Sequence, residues 1–281
     1  MTGRILPFIG STDEWASGAK TIAATCELAP NASPWTLDGT NTWLLHAPGA
    51  AEAIIVDPGP ADEDHLLEVV AKVAARDARI TSILLTHGHI DHSAGARRLG
   101  ELTGAPVRAV DPMHRHGGEG LDAGDVVTAG DLEVQVISTP GHTSDSVCLL
   151  LPEEGSLLTG DTVLGRGTTV VAWPDGRLSE YLVSLARLRD LAERQGIERI
   201  LPGHGPILDA PTKILTEYLE HRIARLDDVR AAVAAGAGSP AEVVAIVYFN
   251  TLRELWPAAE LSVRAQLQHL RDAGEISAEI I

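Results

Sequence analysis

Thr86-His87-Gly88-His89-Ile90-Asp91-His92 follows directly on the apolar stretch Ile80-Thr81-Ser82-Ile83-Leu84-Leu85. Neutral imidazole is the commonest protein ligand for zinc, and a carboxylate binds at a similar distance. On an extended chain His87 and His89 share one face, whereas Asp91 and His92 point elsewhere, toward a second metal position. An accidental H-x-H-x-D-H in a chain of this composition has a chance of roughly one in a thousand. That sets aside a plain solvated turn at a strand end.

Outward from this cluster, three segments repeat one form: an apolar run, a glycine that lets the backbone turn, then a ligand-type side chain. His142 stands in Ser138-Thr139-Pro140-Gly141-His142-Thr143, after the alternating run 132–137. Asp161 stands in Leu157-Leu158-Thr159-Gly160-Asp161-Thr162, and His204 in Ile200-Leu201-Pro202-Gly203-His204-Gly205-Pro206. Each alone reads as a turn histidine or an N-cap aspartate. In order behind the first cluster they complete a ligand set.

The order H-x-H-x-D-H, G-H-T, G-D, P-G-H-G resembles the metallo-beta-lactamase superfamily. Segments 160–170 and 201–207, and the helical stretch containing His221-Arg222, resemble the beta-lactamase-like protein 2 family; the likeness runs from about residue 39 to about residue 276. It implies a four-layer αββα sandwich with metals at the sheet edge, followed by a small winged-helix module. By matching positions it implies one zinc held by His87, His89 and His142, and a second by Asp91, His92 and His204, with Asp161 bridging. Two metals roughly 3.5–4 Å apart would hold a hydroxide and polarise the bond to be attacked. Asp91 also orients the nucleophile and is the candidate catalytic residue. Iron or manganese are alternative occupants. The best-known subclass of true zinc beta-lactamases places cysteine where this chain has Asp161, so beta-lactam hydrolysis is expected as a side activity at most.

Composition fits one large domain plus an appendage: 281 residues, 44% hydrophobic. No stretch reaches the roughly 18–20 apolar residues of a membrane span. The apolar part of residues 1–9 is too short for a signal peptide and has no small-residue cleavage site. Of the two cysteines, Cys26 and Cys148, neither suggests a redox pair, and Cys148 reads as a buried thiol; a cytoplasmic location is expected. The net charge of −17, with 22 Lys plus Arg against 39 acids, opposes sequence-independent nucleic-acid binding. Arg222, Arg225 and Arg230, interleaved with Glu217, Glu220, Asp227 and Asp228, read as a solvated helix face.

Strands are expected at 41–45, 53–57, 80–85, 107–110, 126–128, 132–137, 147–151, 156–159 and 199–201, and helices at 62–76, 92–102 and 179–194. That alternation places two sheets between helices over residues 1–211. Residues 212–281 read as helices 212–235, 241–248 and 256–273, with 275–281 as a tail that could form a strand. Residues 213–281 hold seven cations against ten acids, which favours a lid or subunit contact over DNA binding.

Other polar residues read more plainly. His114-Arg115-His116 is a surface or site-rim loop, and His46, His65 and His269 are solvated. His221 reads either as a support to the site or as an ordinary helix-face histidine. Arg166, Thr168 and Thr169 either contact substrate oxygens or belong to a plain glycine-rich loop. Three functions follow. The first is hydrolysis of an ester or thioester of a small acid or carrier; the second is endonucleolytic cleavage of single-stranded RNA. The third, a metal-binding winged-helix regulator, has no need of seven ligands around an open site. No duplex DNA or membrane partner is expected, and an oligomer stays open.

Overall fold

The computed structural model describes residues 9–10, 15–171 and 173–277. The first half of the chain comprises β1 (Ala24–Leu28), β2 (Asn41–Leu45), β3 (Glu52–Val56), α1 (Glu63–Ala74), β4 (Arg79–Leu84), α2 (Ile90–Ser93), α3 (Ala96–Thr103) and β5 (Val107–Arg108). The five strands pair in the order β1-β2-β3-β4-β5, antiparallel up to β3 and parallel from there. Next come β6 (Val126–Ala129), β7 (Leu132–Ser138), β8 (Val147–Leu151), β9 (Ser156–Gly160), α4 (Leu178–Gln195), β10 (Arg199–Pro202) and β11 (Leu208–Asp209). They form a second sheet in the order β11-β10-β9-β8-β7-β6, antiparallel except for the β9–β10 pair. Three helices close the chain: α5 (Pro211–Ala234), α6 (Pro240–Val247) and α7 (Trp256–Asp272).

The central strands are apolar at nearly every position because each buries both faces. Side chains alternate across a strand, and that alternation sorts one run into two cores. Trp43 and Leu45 of β2, Ile54 and Val56 of β3, and Val147, Leu149 and Leu151 of β8 fill the space between the sheets. Leu44, Ala53 and Ile55 face the other way, onto Leu66 and Val69 of α1 and Leu99 of α3. Cys148 and Leu150 of β8 face outward with Tyr181 and Leu185 of α4. The result is the expected layering, helix–sheet–sheet–helix. The outer core continues through Tyr218 and Val229 of α5, Val243 of α6 and Val263 of α7, so the C-terminal helices pack onto the second sheet's helical layer.

Local chemistry explains several boundaries. Asp62 caps α1 by accepting from His65 N at 2.9 Å, with Glu63 and Asp64 in the first turn to complement the helix dipole. Ser239 caps α6 in the same way, with Pro240 opening it.

Four expectations change. The helix expected over 92–102 is two helices, α2 and α3, separated at Gly95, where a Cβ would stand 2.8 Å from Pro60 O. Helix α2 starts at Ile90 and therefore carries Asp91 as well as His92. Strand β1 had no expectation attached to it. Of the tail expected as a strand, residues 275–277 carry none, and 278–281 lie outside the described residues. His65 is buried, not solvated, with Nε2 2.9 Å from Thr42 Oγ1. Arg222 is buried as well, because α5 is covered by α4 and α7, and Arg225 is largely so. Only Arg230 behaves as a solvated-face residue, pairing with Asp227 and Glu275.

Candidate metal centre

Strands β3, β4, β7, β9 and β10 all end at one edge of the sandwich, and each hands the chain to a loop there, the longest of them between β9 and α4. The two sheets are tied together at this edge: Val147 N donates to Thr86 O, and Asn41 N to Gly203 O, each at 2.8 Å. A Cβ at Gly160 would come within 2.4 Å of Thr86 Oγ1, and one at Gly203 within 2.6 Å of Asp161 Oδ1. The glycines ahead of Asp161 and His204 therefore give the space in which facing loops meet.

His87, His89, Asp91, His92, His142, Asp161 and His204 all converge here. In one group, His89 Nδ1 lies 3.0 Å from both His87 Nε2 and His142 Nε2. In the other, His204 Nε2 lies 3.2 Å from both His92 Nε2 and Asp91 Oδ2. The carboxylate of Asp161 stands between them, with Oδ2 3.8 Å from His142 Nε2 and 3.5 Å from His204 Nε2. Nitrogens about 2.0–2.1 Å from one tetrahedral ion are roughly 3.3 Å apart, close to the separations seen.

In His87, His92, His142 and His204 the ring's other nitrogen is committed. His142 Nδ1 donates to Val170 O at 2.5 Å, and His204 Nδ1 to Gly39 O at 3.1 Å. His92 Nδ1 donates to Asp57 Oδ2 at 2.9 Å. Thr86 Oγ1 donates to the same Asp57 oxygen at 2.6 Å, so its lone pair is what His87 Nδ1 meets at 3.1 Å. A carbonyl or carboxylate only accepts, so these partners fix a proton on Nδ1 and leave Nε2 as the nitrogen that faces the centre.

Asp57 carries part of this framework without belonging to the seven. It lies just past β3 in a left-handed conformation, φ 50°, and is fully enclosed. It also accepts from Thr86 N at 2.8 Å. Its sequence signal was the shared form, an apolar strand ending in a ligand-type side chain, read at 53–57 only as a strand end.

The electrostatics suit cations. Burial drives His142 down to about 4 and His87 well below the usual imidazole range, so both offer neutral rings. Burial also opposes charge on His204 and His92. There, however, Asp161 with Asp91 or Asp57 outweighs it, raising His204 to about 9 and His92 well above its ordinary value. Burial likewise opposes ionisation of Asp161, but His204 and His92 hold its carboxyl well below the usual range. Its Oδ1 is buried without a hydrogen-bond partner. A buried carboxylate oxygen with only His92 Nε2 near it, at 3.4 Å, among convergent ring nitrogens fits a bound divalent ion, and the donor set of imidazole plus carboxylate fits a first-row metal.

The remaining polar residues separate. Arg166, Thr168, Thr169 and His221 line a cleft of about 630 Å3 that opens onto His89, Asp91, His142 and Asp161. His114-Arg115-His116 joins neither ligand group among the described residues; His114 packs over Gly88 at the rim, and Arg115 donates to Ala109 O. His46 Nε2 lies 2.7 Å from Ala50 O, and His269 lines a separate small cavity beside Arg177.

The profile of the metallo-beta-lactamase superfamily matches residues 35–204, and that of the beta-lactamase associated winged helix domain matches residues 239–279. The Beta-lactamase-like protein 2 homolog of Caenorhabditis elegans is 36% identical over 211 residues, covering 72% of this chain and 68% of that protein. The Atrochrysone carboxyl ACP thioesterase of Aspergillus fumigatus is 31% identical over 238 residues, 79% of this chain and 72% of that protein. Among solved structures, a Beta-lactamase domain protein from Burkholderia ambifaria superposes with a TM-score of 0.78 at 26% identity, covering 95% of this chain and 92% of that one.

Proposed function

The chain belongs to the metallo-beta-lactamase superfamily and ends in its associated winged helix domain, and on that premise we propose a dinuclear zinc hydrolase of ester or thioester bonds. The acyl group is apolar, and the substrate is a small molecule or carrier-linked. His87, His89 and His142 would hold one ion and Asp91, His92 and His204 the other, with Asp161 standing between the two groups of side chains. When bound, the ions supply a Lewis acid for the carbonyl oxygen and acidify water enough to attack it near neutral pH.

The observation that carries the substrate class is the cleft itself. Its lining is mainly apolar and includes Trp35, Leu37, Ile90, Tyr248, Leu255 and Ala259. Trp35 and Ile90 stand exposed, ready to cover an acyl chain. The carboxylate of Asp91 borders both His204 and the cleft, where it orients the attacking water and takes its proton. A thiolate leaves without needing a proton, so the chain requires no dedicated acid for a thioester. The thioesterase among its relatives supports the same class.

The C-terminal helices shape this cleft and do not read duplex DNA. Two cations of α7 are engaged locally, Arg264 with Glu260 and Arg271 with Gln268. None of the described helices is long and apolar enough to cross a membrane. Both cysteines are buried and unbridged, consistent with a cytoplasmic setting.

The test compares a panel of acyl thioesters of increasing chain length with a labelled single-stranded RNA, using zinc-loaded protein and Asp161→Ala as control. Thioester turnover that improves with chain length and vanishes in the control is expected. Cleavage of the RNA with the thioesters untouched would replace this reading by the endoribonuclease one.

A further inference from the structure

The loop between Asp161 and α4 carries the acceptor for His142. Val170 O takes the proton of His142 Nδ1 at 2.5 Å. Apart from a bridge between Arg166 and Gly10, residues 162–171 have no strand or helix of their own. Their backbone groups are held from outside. Tyr181 Oη of α4 donates to Thr162 O at 2.7 Å. Tyr218 Oη of α5 accepts from Leu164 N at 2.9 Å and donates to Gly167 O at 3.1 Å. Arg222 of α5 donates from Nη2 to Thr169 O, with its guanidinium 5.2 Å over the Tyr181 ring. Ser262 Oγ of α7 accepts from Val171 N at 3.3 Å.

We infer that Tyr218, Arg222 and Ser262 are positioning residues for the metal centre: α5 and α7 hold the 162–171 loop so that Val170 O fixes the ring orientation and tautomer of His142. This rests on the reading of His142 as a ligand. The contacts sit on both sides of Val170, at positions 164, 167, 169 and 171, so the carbonyl is gripped and not merely touched. All three side chains are buried, so the bonds that Tyr218 Oη, Arg222 Nη2 and Ser262 Oγ make to the loop are costly to break. Partners behind a ligating histidine set its basicity and aim. The C-terminal helices thus act on metal affinity as well as on the cleft.

Zinc affinity by competition with a chromophoric chelator, and the ligand-field spectrum of the cobalt(II) form, read this directly. The full-length variants are Tyr218→Phe, Arg222→Met, Arg222→Lys and Ser262→Ala, with Arg230→Met as a surface control and circular dichroism as the fold check. Tyr218→Phe and Arg222→Met should bind zinc about tenfold more weakly and shift the cobalt spectrum. Arg222→Lys, which keeps a donor, should recover most of the affinity, and Arg230→Met should match the parent. Folded variants with parental affinity and spectrum would overturn the inference, as would metal loss confined to variants that unfold, since Ser262→Ala removes only a hydroxyl. Parental affinity in His142→Ala would instead bring down the ligand reading beneath it.

Discussion

The ligand edge and the cleft wall opposite it are built by different means. At the edge the donors follow strand ends, five of them on loops and Asp91 and His92 on the short helix α2. The wall draws Trp35 and Leu37 from before β2, Leu164 and Val170 from the loop after Asp161, and Tyr248 and Ala259 from the C-terminal helices. No short segment contains it. The contrast teaches that the ligand-type residues are placed by local signals, whereas the cleft wall is decided by how distant segments pack.

If the edge is the chemistry, breaking it should have the largest effect. His142→Ala and Asp161→Ala should abolish hydrolysis, as should dialysis against chelator, with zinc restoring only the dialysed parent. Elemental analysis of protein purified without chelator should give close to two ions per chain; under half an equivalent would remove the dinuclear reading.

One step behind the ligands, Asp57→Asn keeps the shape but weakens the acceptor for His92 Nδ1 and Thr86. Metal affinity should fall about 10–100-fold, measured by chelator competition. An unchanged affinity would mean that the edge does not depend on this carboxylate.

The wall should respond differently. Ala259→Trp fills cleft volume away from the ligands and should raise KM for a long-chain thioester about tenfold, leaving short-chain turnover and zinc content at parental values. If short and long substrates suffer alike, the wall does not select.

His221 sharpens the same division at smaller scale. Burial, then the Arg222 and Arg225 cations, push it down from 6.5 to about 3, so its ring is neutral in the folded protein at ordinary pH. Below pH 6.5 the unfolded chain takes up a proton that the folded form refuses until about pH 3. Stability is therefore lost as pH falls through that window, and nothing is contributed above it. His221→Gln should melt less steeply with falling pH than the parent, with the two converging above neutral pH.

The smallest effect is expected at the rim. His114→Ala should leave kcat/KM within about a few fold, because His114 meets Gly88 and lies outside both ligand groups. A loss as deep as that of His142→Ala would redraw the boundary of the edge.

The amino-acid sequence by itself marked nine of the eleven described strands and the seven residues that converge at the edge, because both signals are local. Alternation within five residues commits a strand's two faces, as in Val147–Leu151, and a glycine followed by histidine or aspartate at a strand end can hardly point elsewhere. The break at Gly95 is harder to read, since its N–H donates to Gly59 O, brought up from the loop before α1, and only glycine fits beneath Pro60 O. Asp57 had the right form but lacked a second ligand-type residue nearby to mark it. Only the tertiary structure decided that Arg222 is a buried clamp. Helical periodicity reports which residues share a face, not whether that face meets water or another helix, and α5 meets α4 and α7. The cleft wall belongs to the same class, because its members become neighbours only once the C-terminal helices have packed against the sandwich.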